Sequence, residues 1–164
     1  MSDSGIRILL VDDEQELVDY LSKRLIKKGN QVVGVTSGEA ALEQVGSNTF
    51  DVAVLDLKMP HMDGMELLTR LEEAQPFLQP IMLTGHGSMD SALESGRHQA
   101  FRFLIKPYEF EGLLDVIHQA REYRTKQLKE AYTRDLARVM AEHSSEPHEL
   151  LRETALLKKK YEQG

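Results

Sequence analysis

Acidic side chains stand directly after two strand-like apolar segments of the sequence. Asp12 and Asp13 follow the run IRILLV, and Asp56 follows the run DVAVL. Two other polar residues hold comparable positions, since Thr84 follows IML and Lys106 follows FRFLI. Phosphoryl transfer needs a nucleophile, carboxylates for a divalent cation, an ammonium and a hydrogen-bond donor. These residue types therefore predict metal-assisted phosphoryl transfer, provided that the fold brings them together.

The three aspartates predict a site for a divalent cation. Carboxylates that converge on one edge of a sheet repel one another, and without a cation at least one of their pKa values would rise. Mg²⁺ is the natural choice for an oxygen-only site, because it binds to a few carboxylates and keeps waters that a phosphate oxygen can replace. His86 has no second histidine at a useful spacing, which disfavours a histidine-ligated metal site.

The elements that must position these residues alternate between strands and helices. The apolar runs are continuous, which is typical of strands buried on both faces of a parallel sheet. The predicted strands are Ile6–Val11, Gln31–Val35, Asp51–Leu55, Ile81–Leu83 and Phe101–Ile105, and the predicted helices are Glu14–Lys28, 37–45, Met65–Ala74, Ser88–Gly96 and a last helix from Glu109 onward. This alternation predicts an α/β, flavodoxin-like fold with a doubly wound five-stranded parallel sheet in the order 2-1-3-4-5.

That strand order selects the nucleophile. In such sheets, ligands bind at the carboxyl ends of strands 1 and 3, where the strand order reverses. Asp56 stands there, between the acidic pair and the pair formed by Thr84 and Lys106, so it is the predicted nucleophile.

Residues 1–120 resemble the receiver domain of response regulators, the CheY-like module of two-component phosphorelay systems. Four motifs carry the resemblance, and their order and separations make it specific: ILLVDDE (8–14), LDLKMPHMDG (55–64), LTGHG (83–87) and FLIKP (103–107). The resemblance implies that Asp56 accepts a phosphoryl group from a histidine kinase or a phosphotransfer protein, with Mg²⁺ as the cofactor.

The resemblance also implies how the site works. Asp12, Asp13 and Asp56 are the expected metal ligands, together with the backbone carbonyl of Lys58. Lys106 is expected to contact the aspartyl phosphate.

Further residues are implied to form the switch. Thr84 is expected to move toward a phosphoryl oxygen while Phe103 swings inward. The Lys106–Pro107 peptide bond is expected to be cis, and Gly64 is expected to relieve the turn into the third helix. Phosphorylation is then expected to alter dimerisation or partner binding through the face of the fourth helix, the fifth strand and the last helix, and through the C-terminal helix.

Three residues depart from the family pattern or tune it. Arg102 stands where an acidic residue often precedes the switch aromatic, so the charge pattern of the output face differs from that of relatives. Lys58 and His86 lie two residues after Asp56 and Thr84, respectively. Their bulk predicts a long-lived phosphorylated state, because they would hinder the attacking water.

The C-terminal region divides into two predicted segments. Residues 121–143 extend the last helix and can form a coiled coil, whereas residues 144–164 form a linker and a short amphipathic helix. The extension carries an apolar stripe, although Asp135 and Gln127 interrupt a strict heptad. This stripe consists of Leu128, Ala131, Tyr132, Leu136, Val139 and Met140. The tail is predicted either to dimerise or to link to an output domain, in which case the chain is the N-terminal fragment of a larger regulator. A homodimer is expected in both cases.

Composition excludes several classes of function. Residues 1–120 contain 10 Lys+Arg against 19 Asp+Glu, a balance of −9, whereas residues 121–164 contain 10 against 8, a balance of +2. The acidic first part disfavours direct binding to nucleic acid. The chain has no cysteine, no signal-peptide pattern and no apolar run long enough to cross a bilayer. These features predict a cytoplasmic protein without a membrane segment.

Two other functions are less consistent with the residues. Hydrolases that use an aspartyl phosphate usually carry a second carboxylate two residues after the nucleophile, but this position is Lys58. A degenerate, phosphorylation-independent adaptor is disfavoured because Asp12, Asp13, Asp56, Thr84 and Lys106 are all present. The sequence therefore predicts a self-phosphorylating switch rather than an enzyme that acts on an external substrate.

Overall fold

The computed structural model of the chain describes residues 5–62, 64–85 and 102–163. The chain divides into two compact units, Met1–Arg121 and Glu122–Gly164. In chain order the elements are β1 (Arg7–Val11), α1 (Gln15–Lys27), β2 (Gln31–Val35), α2 (Gly38–Ser47), β3 (Val52–Asp56), α3 (Gly64–Ala74), β4 (Gln79–Thr84), β5 (Arg102–Ile105), α4 (Phe110–Glu142) and α5 (Pro147–Glu162). The predicted helix Ser88–Gly96 lies outside the described residues, so the labels do not count it.

The five strands form one parallel sheet in the order β2-β1-β3-β4-β5, which confirms the predicted fold class. The central strands β3 and β4 are buried along their whole length, whereas the edge strands β2 and β5 are partly exposed. Burial on both faces explains why the central strands are continuously apolar.

Two hydrophobic clusters lie on opposite faces of the sheet. Alternate residues of each strand point to opposite faces, so Ile8 and Leu10 of β1 join one cluster and Leu9 and Val11 join the other. Helix α1 and the beginning of α4 complete the first cluster, and α2 and α3 complete the second. Each fully buried leucine or isoleucine stabilises the fold by roughly 1.5–3 kcal/mol relative to an exposed side chain.

Local signals set the ends of the first two helices. Gly29 follows α1 with a φ of +89°, a left-handed conformation that glycine adopts without a steric penalty. Ser37 precedes α2, and its Oγ caps the helix by accepting a hydrogen bond from the backbone N–H of Ala40 at 3.1 Å.

A buried ion pair anchors the amino end of β3. The carboxylate of Asp51 is 2% exposed and accepts hydrogen bonds from Arg7 Nη2 at 2.7 Å, Arg7 Nε at 3.2 Å and the backbone N–H of Arg7 at 2.9 Å. Arg121 Nε lies 3.8 Å from Asp51 Oδ1. Two guanidinium groups thus compensate a carboxylate that has left water.

The second unit is a helical hairpin of the end of α4 and α5. The apolar stripe of residues 128–140 lies on α4 and is called the α4 stripe from here on. It is largely covered within the second unit: Ala131 and Val139 are buried, and of its six residues Met140 alone is exposed. The rings of Tyr132 and Tyr161 meet edge to face at 5.7 Å, and Leu157 of α5 is buried. None of the described helices is long and apolar enough to cross a membrane.

Candidate functional site

The polar residues singled out in the sequence lie at the carboxyl ends of four adjacent strands. Asp12 follows β1, Asp56 ends β3, Thr84 ends β4 and Lys106 follows β5. Because these strands are parallel and neighbours in the sheet, their carboxyl ends share one edge. The backbone continues this edge beyond the strands, since the N–H of Lys106 donates to the carbonyl of Thr84 at 2.8 Å.

Three carboxylates converge at this edge. One oxygen each from Asp12, Asp13 and Asp56 lies within 4.8 Å of the others, a separation that one oxygen-ligated cation can bridge. Asp12 and Asp56 are buried, at 1% and 8% exposure, whereas Asp13 is exposed. The cluster therefore has a buried inner side and an outer side that is open to solvent.

Backbone N–H groups hold one oxygen of each buried carboxylate. The N–H of Glu14 donates to Asp12 Oδ1 at 2.9 Å, and the N–H of Lys58 donates to Asp56 Oδ1 at 3.2 Å. By contrast, Asp12 Oδ2 is buried and accepts no hydrogen bond from any described residue. A buried carboxylate oxygen without a donor is costly, and a bound cation would satisfy it.

The crowding changes the ionisation of Asp12. The pKa of Asp12 is raised to about 6: burial is the largest cause and the charges of Asp56 and Asp13 contribute, while the N–H of Glu14 and the ammonium of Lys106 oppose the shift. The direction of the shift is the one predicted, but burial contributes more to it than repulsion between the carboxylates.

Lys106 lies beside both buried carboxylates without forming a hydrogen bond to either. Its Nζ is 3.7 Å from Asp56 Oδ1 and 3.8 Å from Asp12 Oδ2. These distances allow electrostatic attraction and leave the ammonium donors available for a further acceptor. The Lys106–Pro107 peptide bond is cis, as expected.

Thr84 and Phe103, the two predicted switch residues, contact groups other than the three carboxylates. The Thr84 side chain is buried, and its hydroxyl donates to the carbonyl of Gly85 at 3.1 Å. Phe103 is half-buried and packs against the core cluster on the α2 and α3 face of the sheet. His86 lies outside the described residues.

Gly64 supports the site for a reason that the sequence did not indicate. A Cβ at this position would lie 2.5 Å from the carbonyl oxygen of Asp56 and 2.8 Å from Leu57 Cα. Among the described residues the positive-φ glycine is Gly29, so Gly64 is required for close backbone approach and not for a left-handed turn. Its N–H donates to the Leu57 carbonyl at 2.9 Å, which fixes the start of α3 against the end of β3.

Sequence reasoning also missed Tyr108, for which the one available signal was an aromatic residue soon after the Lys-Pro pair. Burial raises the pKa of Tyr108 to about 12, and the charges of Asp12 and Asp56 add to the shift. Tyr108 lines a groove of about 450 Å³ beside Lys106, between α1 and the segment that joins β5 to α4. The groove is also lined by Leu17, Arg24 and Phe110.

Comparison with known families gives one extended match. Residues 8–118 match the family described as the response regulator receiver domain. The chain is 37% identical over 111 residues to the response regulator protein FleR of Pseudomonas aeruginosa, and 36% identical over 122 residues to the transcriptional regulatory protein GlrR of Escherichia coli K12. These matches cover 68% and 74% of this chain but 24% and 28% of the relatives, so the chain spans about a quarter of their length.

Solved structures agree with the sequence matches. A response regulator receiver domain protein from Clostridium thermocellum superimposes with a TM-score of 0.70 at 31% identity, covering 74% of this chain and 98% of that protein. A CheY-like receiver domain protein from Methanospirillum hungatei gives a TM-score of 0.71 at 29% identity, covering 76% and 99%.

Proposed function

This chain belongs to the response regulator receiver domain family, and from that premise we propose that Asp56 is its phosphorylation site. The observation that carries the proposal is the cluster itself: three carboxylates with oxygens within 4.8 Å of one another, and Lys106 Nζ 3.7 Å from Asp56. The product would be an aspartyl phosphate, formed when a carboxylate oxygen of Asp56 attacks the phosphorus of the donor and the donor group leaves.

The residues at this edge fit a Mg²⁺ ion. Asp12, Asp13 and Asp56 would hold it with carboxylate oxygens, and the backbone carbonyl of Lys58 would add a further ligand. The fit is supported by Asp12 Oδ2, which is buried without a hydrogen bond among the described residues, and by the raised pKa of Asp12. When bound, Mg²⁺ neutralises charge on the carboxylates and on the transferring phosphoryl group.

Lys106 and Thr84 would complete the contacts to the phosphoryl group. The Lys106 ammonium has donors available for one phosphoryl oxygen. The Thr84 hydroxyl, which now donates to the Gly85 carbonyl, would instead donate to a second phosphoryl oxygen. Phe103 follows Thr84 inward in this proposal. The rearrangement would bias the surface of β5 and the beginning of α4 toward a second state, which makes the domain a two-state switch.

The proposed phosphodonor is a histidine kinase or a phosphotransfer protein. The groove beside Lys106 adjoins the carboxylate cluster, and its apolar and charged lining suits the docking of a donor protein. In this proposal the protein phosphorylates and dephosphorylates itself and has no external substrate. A cytoplasmic location and the absence of direct contact with nucleic acid remain predictions of the same account.

We place a homodimer contact on the first unit, at the β5 and early α4 face. The proposed organisation is a receiver at residues 1–120, the helical extension at 121–143, and the linker with its short helix at 144–164.

A second possibility is that the chain corresponds to the N-terminal part of a larger regulator. This possibility is favoured by the coverage of the relatives, of which it spans about a quarter.

Phosphorylation by a small-molecule donor tests the proposal. The full chain is incubated with acetyl phosphate and Mg²⁺, and the intact mass is measured. We expect addition of one phosphoryl group to the wild type and none to Asp56→Asn, nor to the wild type when EDTA removes the metal. Equal phosphorylation of Asp56→Asn would refute the assignment.

A further inference from the structure

We propose that Asp135 directs the α4 stripe to pack against helix α5 of the same chain and prevents it from pairing with the stripe of a second copy. The sequence presents Asp135 as an interruption in an apolar surface suited to a coiled coil. In the structure, the same residue is the centre of the contact between the two helices of the second unit.

The position of Asp135 on α4 places it in the middle of the stripe. Leu128, Ala131, Asp135 and Val139 follow one another at spacings of three or four residues, so they share one face of the helix. Ala131 and Val139 on either side are buried, and the Asp135 side chain is only 17% exposed. A carboxylate therefore stands among apolar side chains.

Helix α5 supplies what this carboxylate needs. The Tyr161 hydroxyl donates to Asp135 Oδ2 at 2.9 Å, and Lys160 Nζ lies 3.3 Å from the same oxygen. The hydrogen bond from Tyr161 is the main cause that lowers the pKa of Asp135, and Lys160 adds to it. Both partners lie at the C-terminal end of α5, where Leu157 is buried, so polar and apolar contacts favour the same pairing.

A second copy of the stripe cannot supply the same groups. In a parallel pairing, residues at equivalent core positions meet, so Asp135 would face Asp135. The stripe runs from Leu128 to Met140, which places Asp135 near its midpoint, and an antiparallel pairing about that midpoint also brings the two carboxylates together. Like charges in a desolvated seam oppose association, and a second stripe that takes the place of α5 removes Tyr161 and Lys160 from both carboxylates.

Replacement of the carboxylate tests this specificity in the full chain. Asp135→Leu makes the stripe continuous, and Glu130→Leu is the matched control because it places a leucine at an exposed position of the same helix. Sedimentation over a range of concentrations measures the dissociation constant of self-association. We expect Asp135→Leu to associate at least about tenfold more tightly than the wild type, and Glu130→Leu to change the constant by less than about twofold.

Disulfide trapping locates the association on the stripe. The chain has no native cysteine, so Leu128→Cys reports pairing of two stripes, and Ala137→Cys reports contact at an exposed position off the stripe. We expect Leu128→Cys to form intermolecular disulfide readily with Asp135→Leu and several-fold less with native Asp135, while Ala137→Cys stays low in both. Equal trapping through Leu128→Cys with and without Asp135, or association of Asp135→Leu no tighter than that of Glu130→Leu, would overturn the proposal. If Asp135→Leu does not fold, Asp135→Asn is judged by the same two criteria.

Discussion

A buried aspartate stands at each end of strand β3: Asp51 directly precedes the strand and Asp56 is its last residue, but the surroundings of the two side chains are opposite. At the amino end, Asp51 accepts three hydrogen bonds from Arg7 and lies 3.8 Å from Arg121. At the carboxyl end, Asp56 lies with Asp12 and Asp13, and the Lys106 ammonium is 3.7 Å from Asp56 Oδ1 without a hydrogen bond to it.

This difference distinguishes Asp51, whose carboxylate stabilises the fold, from Asp56, whose carboxylate is suited to bind a ligand. Charge at the amino end is compensated within the protein, so Asp51 stabilises the native state and has no oxygen to offer a ligand. Among the described residues at the carboxyl end, negative charge exceeds positive charge, which costs stability and leaves the site suited to a cation and a phosphoryl group. The same residue type at the two ends of one strand therefore has two roles, and the neighbouring residues determine which role each has.

The largest predicted effect is a loss of stability when Asp51, at the amino end of β3, is replaced. Asp51→Ala leaves Arg7 and Arg121 without their buried counter-charge, and we expect a loss of about 3–5 kcal/mol in the free energy of unfolding, measured by urea denaturation. Asp56→Ala, the matched change at the other end, should cost far less or stabilise the protein, since it removes one of the crowded charges. Equal losses for both variants would contradict the comparison.

The second prediction concerns Gly64→Ala, which should displace the backbone at the carboxyl end of β3 without removing a charge. The Cβ of Gly64→Ala would meet the backbone at Asp56 and Leu57, which cannot move aside as a flexible side chain could. We expect a loss of about 2–3 kcal/mol, together with weaker Mg²⁺ binding measured by calorimetry. Gly46→Ala is the control, because a Cβ there meets nothing within 4 Å, and it should leave Mg²⁺ affinity unchanged.

The third prediction concerns pH. Because the folded-state pKa of Asp12 is about 6 and its ordinary value is 3.8, the native state binds this proton more tightly than the unfolded state, and the ionised form destabilises the fold above pH 6. Without metal, Asp12→Asn should therefore be more stable than the wild type by about 2–3 kcal/mol at pH 8. The difference should shrink as the pH falls from 6 and vanish below 4.

Thermal unfolding of both proteins at several pH values measures this difference, and Mg²⁺ sharpens the test. Mg²⁺ should raise the melting temperature of the wild type at pH 8 more than that of Asp12→Asn. A difference in stability between the two proteins that does not change with pH would show that ionisation of Asp12 does not destabilise the fold.

The smallest predicted effect concerns the lifetime of the phosphorylated state. Lys58 is exposed beside Asp56, and its side chain is expected to hinder the attacking water. We expect Lys58→Ala to speed loss of the phosphoryl group about three- to tenfold, or about 1 kcal/mol in the barrier, as measured by the decay of phosphorylated protein after the donor is removed. An unchanged rate would remove Lys58 from the account.

Much of the first unit could be predicted because its signals are local. Continuous apolar runs marked the strands, and the residues after them marked the shared edge of the sheet. The prediction for β4, Ile81–Leu83, was too short, because the strand runs from Gln79 to Thr84. Pro80 lies within β4, paired with Ala53 of β3, but pairing with β5 begins only at Ile81, so its missing N–H breaks no bond on that side.

Features that depend on distant partners could not be predicted. Asp51 was taken as the first residue of a strand, since nothing near it in sequence indicates Arg7, which is 44 residues away. Asp135 was interpreted as a defect in a coiled coil because Tyr161, its hydrogen-bond donor, is 26 residues away. In both cases a charged residue is explained only by the fold that brings its partner to it.

The most direct test of the central claim is to identify the residue that carries the phosphoryl group. After incubation with acetyl phosphate and Mg²⁺, borohydride reduction converts an aspartyl phosphate to homoserine, and peptide mass spectrometry locates it. The account predicts homoserine at position 56 and at no other aspartate, with native Asp51 unmodified as the internal control. Homoserine at position 12 or 13, or none at position 56 in protein that has gained a phosphoryl group, would contradict it.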